Sequence, residues 1–323
     1  MSFLKSEPLF LRPAGKDYLW GGTRLKTEFG KDIPMTPLAE TWEVSIHPDG
    51  ESTVEGGLFD GWKLSEVLVA HPEYLGRHKE FPLLVKLIDA EKDLSVQVHP
   101  DEAYAMRHEH QHGKTEMWYV LDAKPGAKIV YGFEHQVTDE QIRDALRDGD
   151  LHKHLHYEFI KKGDVFLIRP GTVHALGAGS LIVEIQQNSN VTYRIYDYNR
   201  VDKKGKPREL HIESALSALK GLQNPPDYSK VSRQPRLFRY ISGSAIQNFP
   251  PCEYFQVERI HFLSSMTFES PASSFQVFIV IDGEGSLNRG NASRVVKKGS
   301  AILLPANTKV TIDGKIEMLR VTC

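Results

Sequence analysis

The sequence predicts a mainly β fold of two β-sandwich modules with a few helices. Gly and Pro recur along the 323-residue chain, and short runs rich in Val, Ile, Phe and Tyr lie between them. This pattern is typical of strands separated by turns. Many short strands at such spacing favour a sandwich or barrel over a doubly wound sheet. The strongest predicted strands are FPLLVKLIDA (81–90), KTEMWYVLDA (114–123), DVFLIRPGTVHAL (164–176) and SLIVEIQQ (180–187).

An internal repeat indicates two modules rather than one. KKGDVFLIRPGTVHAL (161–176) aligns without a gap with KKGSAILLPANTKVTI (297–312). Upstream, EMWYVLDAKPGA (116–127) matches the pattern of QVFIVIDGEGSL (276–287). Each copy has a strand, a tight turn, a Lys-Lys-Gly turn, a second strand and a turn that contains proline. Both copies are therefore expected to share one architecture.

Three helices are predicted among the strands. Ser65 is a candidate N-cap, Thr138 and Gln141 have the pattern of a capping box, and a third helix is predicted from about Ile212 to Leu222. The segment NPPDYSKVSRQP (224–235) contains three prolines and interrupts the pattern, so we interpret it as the boundary between modules. The predicted modules are residues 1–222, which carry the helices, and residues 237–323.

Composition and charge exclude several classes of protein. Forty basic side chains against forty-two acidic ones give a net charge of −2, whereas a nucleic-acid-binding surface needs a strong excess of basic residues. The two cysteines, Cys252 and Cys323, are too few for a disulfide framework or a paired zinc motif. The first residues lack the pattern of a signal peptide, and no apolar run approaches the roughly 18 residues that span a bilayer. We therefore expect a cytoplasmic protein that binds neither nucleic acid nor a membrane.

Four side chains of the first module have the chemistry of metal ligands. Gln97 and His99 are two residues apart, so on a strand they point to the same face. Glu116 begins the next strong strand, and His174 lies at the Pro-Gly turn between two others. Two imidazoles, a carboxylate and an amide oxygen suit zinc, although two His and one carboxylate also suit non-haem iron.

The other candidate metal ligands in the chain are weaker. Where the first repeat has Glu116 and His174, the second has Gln276 and Lys309, so residues 237–323 are expected to form a degenerate module without metal ligands. Two groups of histidines alternate in polar stretches, where solvent exposure is the expected state. These histidines are His108, His110, His112, His152, His154 and His156.

Three charged residues are candidates for chemistry beside the metal. Lys114 alternates with Glu116, so its ammonium group is expected to point towards the same place. Glu184 is an acid inside an apolar strand, where acids are rare unless they are paired or functional. Both a structural ion pair and a role in the site remain open for it. Arg194 shares one strand face with Thr192 and two tyrosines, an unusual surface for simple packing.

These residues lie in segments that together resemble the short bacterial form of the type I phosphomannose isomerases, in the order of that family. The matching segments are WGG (20–22), AETWEVSIHPDG (39–50), PLLVKLIDAEKDLSVQVHPDE (82–102), GKTEMWYVLDA (113–123), PGTVHALG (170–177) and the stretch through Arg194. The resemblance implies cupin-type jelly-roll β-sandwiches. It also implies interconversion of D-mannose 6-phosphate and D-fructose 6-phosphate by zinc-assisted proton transfer through an enediol or enediolate.

The resemblance assigns roles to individual residues. The implied ligands of one zinc ion per chain are Gln97, His99, Glu116 and His174. The implied active-site residues are Arg194 and Lys114, both also expected to bind the phosphosugar, and the implied pocket residues are Trp20, Ser95 and Glu184. The group that transfers the proton stays open among Lys114, Glu184 and a water on the metal.

Two other functions compete with the isomerase. The first is a cupin oxygenase with iron at the two-His-one-carboxylate set, against which the cations Lys114 and Arg194 favour a phosphorylated sugar. The second is a sugar-phosphate sensor with a structural metal. Structural zinc sites are usually closed by four tight ligands, often thiolates, whereas the amide of Gln97 is a weak donor that leaves room for an exchangeable position.

Overall fold

The computed structural model describes residues 6–201, 205–219, 237–241 and 243–323, with the backbone alone for 237–241. The predicted module boundary at 224–235 and the last residues of the third predicted helix lie outside this part of the chain. In the described part, the third helix spans Ile212–Leu219.

The secondary structure is mainly β, as predicted. The strands are β1 Leu9–Arg12, β2 Ala14–Lys16, β3 Glu40–Val44, β4 Thr53–Val54, β5 Leu83–Ala90, β6 Val96–Val98, β7 Glu116–Ala123, β8 Lys128–Phe133, β9 Leu155–Phe159, β10 Val165–Ile168, β11 His174–Leu176, β12 Ser180–Gln187, β13 Tyr193–Tyr196, β14 Leu237–Ile241, β15 Ser244–Asn248, β16 Gln256–Phe262, β17 Ser265–Glu269, β18 Gln276–Arg289, β19 Ala292–Lys297, β20 Ala301–Leu304 and β21 Lys309–Thr322. The α-helices are α1 Arg24–Thr27, α2 Leu64–Ala70, α3 Glu102–His108, α4 Asp139–Asp148 and α5 Ile212–Leu219, with 3₁₀ turns at Pro72–Leu75 and Leu151–Lys153.

The strands form three antiparallel sheets. Sheet I has the order β10-β7-β12-β5-β3-β2, and sheet II has the order β13-β6-β11-β8-β9. Sheet III has the order β14-β15-β16-β21-β18-β20-β1-β4, with β17 beside β21 and β19 beside β18. The N-terminal strand β1 therefore pairs with β20, Leu9 opposite Leu303, and belongs to the sheet of the C-terminal residues.

Sheet I is covered on both faces, which explains why β5 and β12 are buried at every residue. One face packs on sheet II through a core that includes Ile88, Trp118, Ile129 and Phe166. The other face packs on sheet III through a second core, in which Val183 is one of the buried residues. The two faces of a strand alternate residue by residue, so an apolar run is required here rather than an alternating pattern.

Helices cover the outer face of sheet II. The alternate residues Val96 and Val98 of β6 pack with Ile142 of α4 and with Leu216 of α5 in a third core. Gln97, which lies between the two valines, must therefore point to the opposite face, into the sandwich of sheets I and II. Within the described residues, no helix combines the length and the apolar character that are needed to span a bilayer.

The predicted strands are confirmed, and the predicted helix starts are partly so. Thr138 and Gln141 do form a capping box at the start of α4. The predicted N-cap Ser65 is wrong, because α2 begins two residues earlier after Lys63. The backbone N–H of Lys63 donates to Glu66 and that of Ser65 donates to Glu51. Carboxylates thus accept hydrogen bonds from two of the N–H groups at the start of this helix.

The two repeats have equivalent strands, with one correction. Glu116 and Gln276 each begin a strand, β7 and β18, and each pairs with the last residue of the following repeat strand. The turn between the repeat strands has a left-handed residue in both copies, at φ 78° in Gly171 and φ 55° in Asn307. Counted from this turn, His174 corresponds to Val310 and not to Lys309. Valine cannot bind a metal either.

Candidate metal centre and adjoining cavity

The sandwich of sheets I and II brings the four predicted metal ligands together. His174 lies directly opposite Gln97 in the pairing of β11 with β6. His99 comes directly after the end of β6, two residues after Gln97 and on the same side. Glu116 reaches the same place from the start of β7 in the facing sheet. Residues that are far apart in the sequence therefore converge at one end of the sandwich.

The ligand atoms lie at metal-binding spacing. The Nε2 atoms of His99 and His174 are 3.1 Å apart. Glu116 Oε1 is 3.2 Å from His99 Nε2, and Glu116 Oε2 is 3.6 Å from His174 Nε2. Gln97 places its amide 3.4 Å from His174 Nε2, and a half-turn of that amide would present its oxygen at the same point. Among the described residues, His99, Glu116 and His174 form the one His/Cys/Asp/Glu group of this kind.

Hydrogen bonds orient both imidazoles. His174 Nδ1 donates to the carbonyl oxygen of Thr172 at 2.9 Å, which leaves the lone pair of Nε2 directed into the cluster. Lys114 Nζ lies 3.2 Å from His99 Nε2, and since an ammonium group only donates, this Nε2 also carries a lone pair. Two imidazole lone pairs thus converge beside one carboxylate.

The cluster has the protonation states that metal binding requires. Burial lowers the pKa of His99 to about 3, and the charge of Lys114 adds to this effect. Burial likewise lowers the pKa of His174. Burial opposes ionisation of Glu116, but the charge of Lys114 outweighs it and, with the adjacent His99 ring, holds the pKa of this carboxyl well below its ordinary value. Neutral imidazoles and an ionised carboxylate are the states that bind metals.

Unpartnered polar atoms show that the residues fit a metal ion. Within the described residues, the fully buried Oε2 of Glu116 and Nδ1 of His99 have no hydrogen-bond partner. The ammonium of Lys114 forms an ion pair with Glu116 at 2.6 Å. Buried polar atoms nearly always have partners, so a carboxylate left in this state, beside two imidazole lone pairs, is a ready ligand set for a divalent cation.

A cavity of about 260 Å³ adjoins the four candidate ligands Gln97, His99, Glu116 and His174, which are called the metal cluster below. Gln97 and Lys114 lie on its wall and join it to the candidate metal centre. The remaining lining residues are Tyr18, Trp20, Glu40, Lys86, Ile88, Leu94, Ser95, Glu184, Asn190, Thr192, Arg194 and Arg208. Every predicted substrate-site residue is therefore on the cavity wall: Trp20, Ser95, Lys114, Glu184 and Arg194.

A buried charged network forms one wall of the cavity. Glu184 on β12 lies opposite both Lys86 on β5 and Trp118 on β7. Lys86 Nζ donates to Glu184 Oε1 at 2.8 Å, and Trp118 Nε1 donates to Glu184 Oε2 at 2.9 Å. Glu40, on β3, accepts a hydrogen bond from Trp42 Nε1 at 2.8 Å. The structural ion pair, one of the two alternatives left open for Glu184, is present and lines the cavity, and a role of Glu184 in the chemistry stays a prediction.

The charges in this network are fixed by their neighbours. Burial opposes the charged form of Lys86, but the carboxylates of Glu184 and Glu40 outweigh it and raise the pKa of this ammonium. Burial raises the pKa of Glu40, although the charge of Lys86 partly offsets this. Lys86 is therefore a permanent cation in the cavity, and Glu40 holds a proton more readily than an ordinary glutamate.

Arg194, on β13, lies on the cavity wall beside the strand that carries Gln97. It pairs with Gln97 across β13 and β6, and its Nε donates to Ser95 Oγ at 3.2 Å. Burial lowers the pKa of Arg194, and the neighbouring charge of Arg208 lowers it further. The ring of Tyr18 stacks on Trp20 at 5.5 Å between centroids. Burial, with the nearby charge of Glu40, raises the pKa of Tyr18 to about 12.

Lys86, Glu40 and Arg208 were not singled out from the sequence. Lys86 carries a signal, because a lysine inside the apolar strand LLVKLIDA is as unusual as the acid Glu184 in its own strand. Glu40 and Arg208 have no comparable sequence signal, since neither lies in an apolar run. None of the six alternating histidines belongs to the candidate ligand group among the described residues. His108, for example, is exposed at the end of α3.

Comparison with known proteins agrees with this geometry. The family model for the catalytic domain of type I phosphomannose isomerase matches residues 9–134, and the model for the mannose-6-phosphate isomerase cupin domain matches residues 245–323. A mannose-6-phosphate isomerase of Streptococcus mutans is 37% identical over 97% of this chain and 98% of that protein. A probable mannose-6-phosphate isomerase of Bacillus subtilis is 39% identical over 97% and 98%.

Solved structures have the same fold. The crystal structure of the mannose 6-phosphate isomerase from Bacillus subtilis superposes with a TM-score of 0.89 at 36% identity, covering 98% of this chain and 99% of that one. The similarity therefore extends over nearly the whole length of the chain. This chain belongs to the type I phosphomannose isomerase family and has its cupin-type fold.

Proposed function

We propose that this chain interconverts mannose 6-phosphate and fructose 6-phosphate with the help of one zinc ion. The observation that carries the proposal is the buried cluster of His99, Glu116 and His174, whose unpartnered atoms adjoin a cavity lined by cations. Gln97 would complete the ligand set. When bound, the metal would supply Lewis-acid polarisation of the sugar's carbonyl group. The relatives named above support the choice of substrate.

The cavity wall supplies what the isomerisation demands of the protein. Moving a proton between C1 and C2 of the sugar requires a base beside the carbon and positive charge beside the developing oxyanion. Lys86 stays protonated, so its role is electrostatic. Glu184 is held by two hydrogen bonds at the wall, and we assign it the transfer of the proton. Lys114, a second alternative from the sequence, instead neutralises Glu116 in this arrangement, and a water on the metal is the third alternative.

Arg194 supplies further positive charge. Its Nε donates to Ser95, and one Nη group donates to the backbone carbonyl of Glu209 at 2.9 Å. A guanidinium that is held at two points loses little freedom when substrate binds, and preorganised donors of this kind are worth about 3–4 kcal/mol of transition-state stabilisation. Trp20 and Tyr18 would close the apolar side of the sugar site and limit the access of water.

The test is a coupled assay that detects fructose 6-phosphate formed from mannose 6-phosphate. Enzyme treated with a chelator is compared with the same enzyme after zinc is restored, and in parallel after ferrous iron is restored. Activity that disappears with the metal and returns with zinc is the expected result. No activity with either metal would contradict the proposal, and oxygen uptake with iron alone would support the oxygenase instead.

Two variants separate the metal from the base. Glu116→Gln should remove both zinc and activity, whereas Glu184→Gln should remove activity and keep zinc. Glu91→Gln is the matched control, because Glu91 is a half-exposed carboxylate that pairs with Lys124 on the surface. Normal turnover in Glu184→Gln with full zinc occupancy would transfer the assignment of the base to Lys114 or to a water on the metal. A cytoplasmic location stays a prediction from the sequence.

A further inference from the structure

A second arginine faces the cavity beside Arg194. Arg208 lies in the segment that follows β13, and that segment is tied back to the strand. His211 N–H donates to the carbonyl oxygen of Arg194 at 2.8 Å, and Arg194 Nη1 donates to the carbonyl oxygen of Glu209 at 2.9 Å. These two bonds place the side chain of Arg208 next to that of Arg194, and both line the cavity.

One buried carboxylate holds Arg208 in place. Asp197 is 5% exposed and accepts a hydrogen bond from Arg208 Nε at 2.7 Å and another from Nη2 of the same residue. The same carboxylate also accepts hydrogen bonds from Arg200. Two guanidinium groups, of Arg200 and Arg208, therefore share this carboxylate. With Arg194 close by, the three positive charges at this end of the cavity exceed the one negative charge of Asp197.

The two cavity arginines keep unused donors. Within the described residues, Nη2 of Arg194 and Nη1 of Arg208 make no hydrogen bond to the protein. The other two guanidinium nitrogens of Arg194 donate to Ser95 and Glu209, and those of Arg208 donate to Asp197. Like charges that are brought together repel each other unless an anion compensates them. A tetrahedral dianion with several acceptor oxygens matches a pair of guanidinium donors.

This end of the cavity also lies at the right distance from the metal cluster. Ser95, which Arg194 contacts, is two residues from the metal-ligand candidate Gln97 on an extended segment, a separation of about 6.6 Å. An open-chain hexose spans such a distance between its carbonyl end and C6. A sugar with its carbonyl end at the metal cluster would therefore place a substituent on C6 near the arginines.

We propose that Arg208 binds the phosphate group of the substrate and determines the preference for phosphorylated sugars, with Asp197 as the residue that positions it. This inference rests on the proposed isomerase function and specifies one of its binding determinants. Nη2 of Arg194 contributes the second donor to the phosphate, and the positive charge of the same guanidinium also stabilises the developing oxyanion, as proposed above. The buried pair of Lys86 and Glu184 lies elsewhere on the wall and serves the carbonyl end.

The experiment measures the KM for mannose 6-phosphate and the affinity for inorganic phosphate in zinc-loaded enzyme. Arg208→Gln should raise both the KM and the phosphate dissociation constant ten- to a hundred-fold, the range of one charge-assisted hydrogen bond. kcat should fall less than three-fold. Arg208→Lys keeps the charge but loses the planar guanidinium, so its KM and phosphate dissociation constant should lie between those of the wild type and Arg208→Gln. Arg143→Gln is the matched control, since Arg143 pairs with Glu213 on the exposed side of α4 and should keep wild-type constants.

Four results decide between this inference and its alternatives. A merely structural role for Arg208 would lower zinc content and thermal stability together with kcat, and would overturn the proposal. An active enzyme whose KM and phosphate affinity are unchanged in Arg208→Gln would overturn it as well. A wild type without isomerase activity that still binds phosphate through Arg208 would remove the isomerase function and support the phosphate site. Loss of phosphate affinity in Arg208→Gln with kcat preserved would support both the isomerase function and the phosphate site.

Discussion

Glu184 and Lys86 lie directly opposite each other on β12 and β5, with their charged atoms 2.8 Å apart in the wall of the cavity. Both side chains are nearly fully buried, at 6% and 5% exposed. Withdrawing two charges from water is costly, and the mutual attraction compensates for it only when the geometry is good and the remaining donors and acceptors are satisfied. Trp118 satisfies the second oxygen of Glu184.

Lys86→Met should destabilise the fold strongly, because it leaves Glu184 as a buried charge without its cation. Removing one partner of a buried pair typically lowers the free energy of unfolding by about 3–5 kcal/mol. Denaturant unfolding of the metal-free protein at pH 7 measures this. Lys124→Met is the matched control, since it breaks a half-exposed pair with Glu91 and should cost less than about 1 kcal/mol. Equal losses in the two variants would show that the buried pair is solvated.

Arg194→Ala should lower turnover strongly and leave the metal in place. The guanidinium is on the cavity wall but makes no contact with the metal-ligand candidates that would hold the ion. Loss of a preorganised donor costs roughly 10²–10³ in kcat. Turnover comes from the coupled assay, and zinc content comes from elemental analysis of the same sample. Near-normal turnover would remove Arg194 from the chemistry.

His174→Ala should abolish zinc binding at concentrations that saturate the wild type. The side chain supplies a lone pair that its bond to Thr172 fixes in direction. Zinc per chain, after equilibration with limiting metal and gel filtration, is the measurement. His152→Ala changes an exposed histidine of a surface 3₁₀ turn and should retain one zinc per chain. Retention of zinc by His174→Ala would place the metal elsewhere.

Stability of the metal-free enzyme should fall as the pH drops below about 6.5. His99 has a folded pKa of about 3 and an unfolded value near 6.5. Between these values the unfolded state binds more protons than the folded state, so the free energy of unfolding decreases with decreasing pH. The loss from pH 6.5 to pH 5 is about 2 kcal/mol for this group.

Denaturant unfolding at several pH values measures this slope. His99→Gln should flatten it by the contribution of that histidine, while His152→Gln, on the surface, should leave the wild-type slope. A slope that is the same in His99→Gln and in the wild type would mean that the buried imidazole is not the titrating group.

Deletion of the residues after Asn224 should yield insoluble protein. Sheet I buries one face against sheet III, and β1 pairs with β20, so the deletion exposes a core face and leaves Leu9 without its partner Leu303. The soluble fraction and its zinc content are the measurements. Co-expression of residues 237–323 as a separate chain is the control and should restore solubility. A soluble, zinc-bound fragment would establish that the first module folds by itself.

Much of the fold follows from local pattern. The strands β5, β7, β10 and β12 are continuous apolar runs bounded by turn residues, and the Lys-Lys-Gly repeat identifies equivalent strands in both modules. Ser65 is not the N-cap because α2 already begins at Leu64. The carboxylates of Glu66 and Glu51 accept from backbone N–H groups at that helix start. The gapless alignment of residues 161–176 with 297–312 already places His174 opposite Val310, and the left-handed residues Gly171 and Asn307 coincide in it, so the predicted counterpart Lys309 is wrong by one position.

The metal cluster and the wall residues differ in what a sequence can reveal. Gln97 and His99 share a strand face, and family resemblance adds Glu116 and His174. Glu40 and Arg208 reach the cavity only through the pairing of β3 with β5 and through the bonds that tie the segment after β13 to Arg194. Neighbours across strands depend on register, and register is a property of the whole sheet.

Strand periodicity, residue chemistry and family resemblance are enough to name the four candidate metal ligands, Lys114, Arg194 and Glu184 from the amino-acid sequence. Which charges lie next to each other depends on the three-dimensional fold. It paired Glu184 with Lys86, brought Arg208 beside Arg194, and placed β1 in the C-terminal sheet. The physical reason is that local propensity and alternation act within a strand, whereas the contacts that fix charge and burial at the site join residues up to about a hundred positions apart, as Lys86 and Glu184 do.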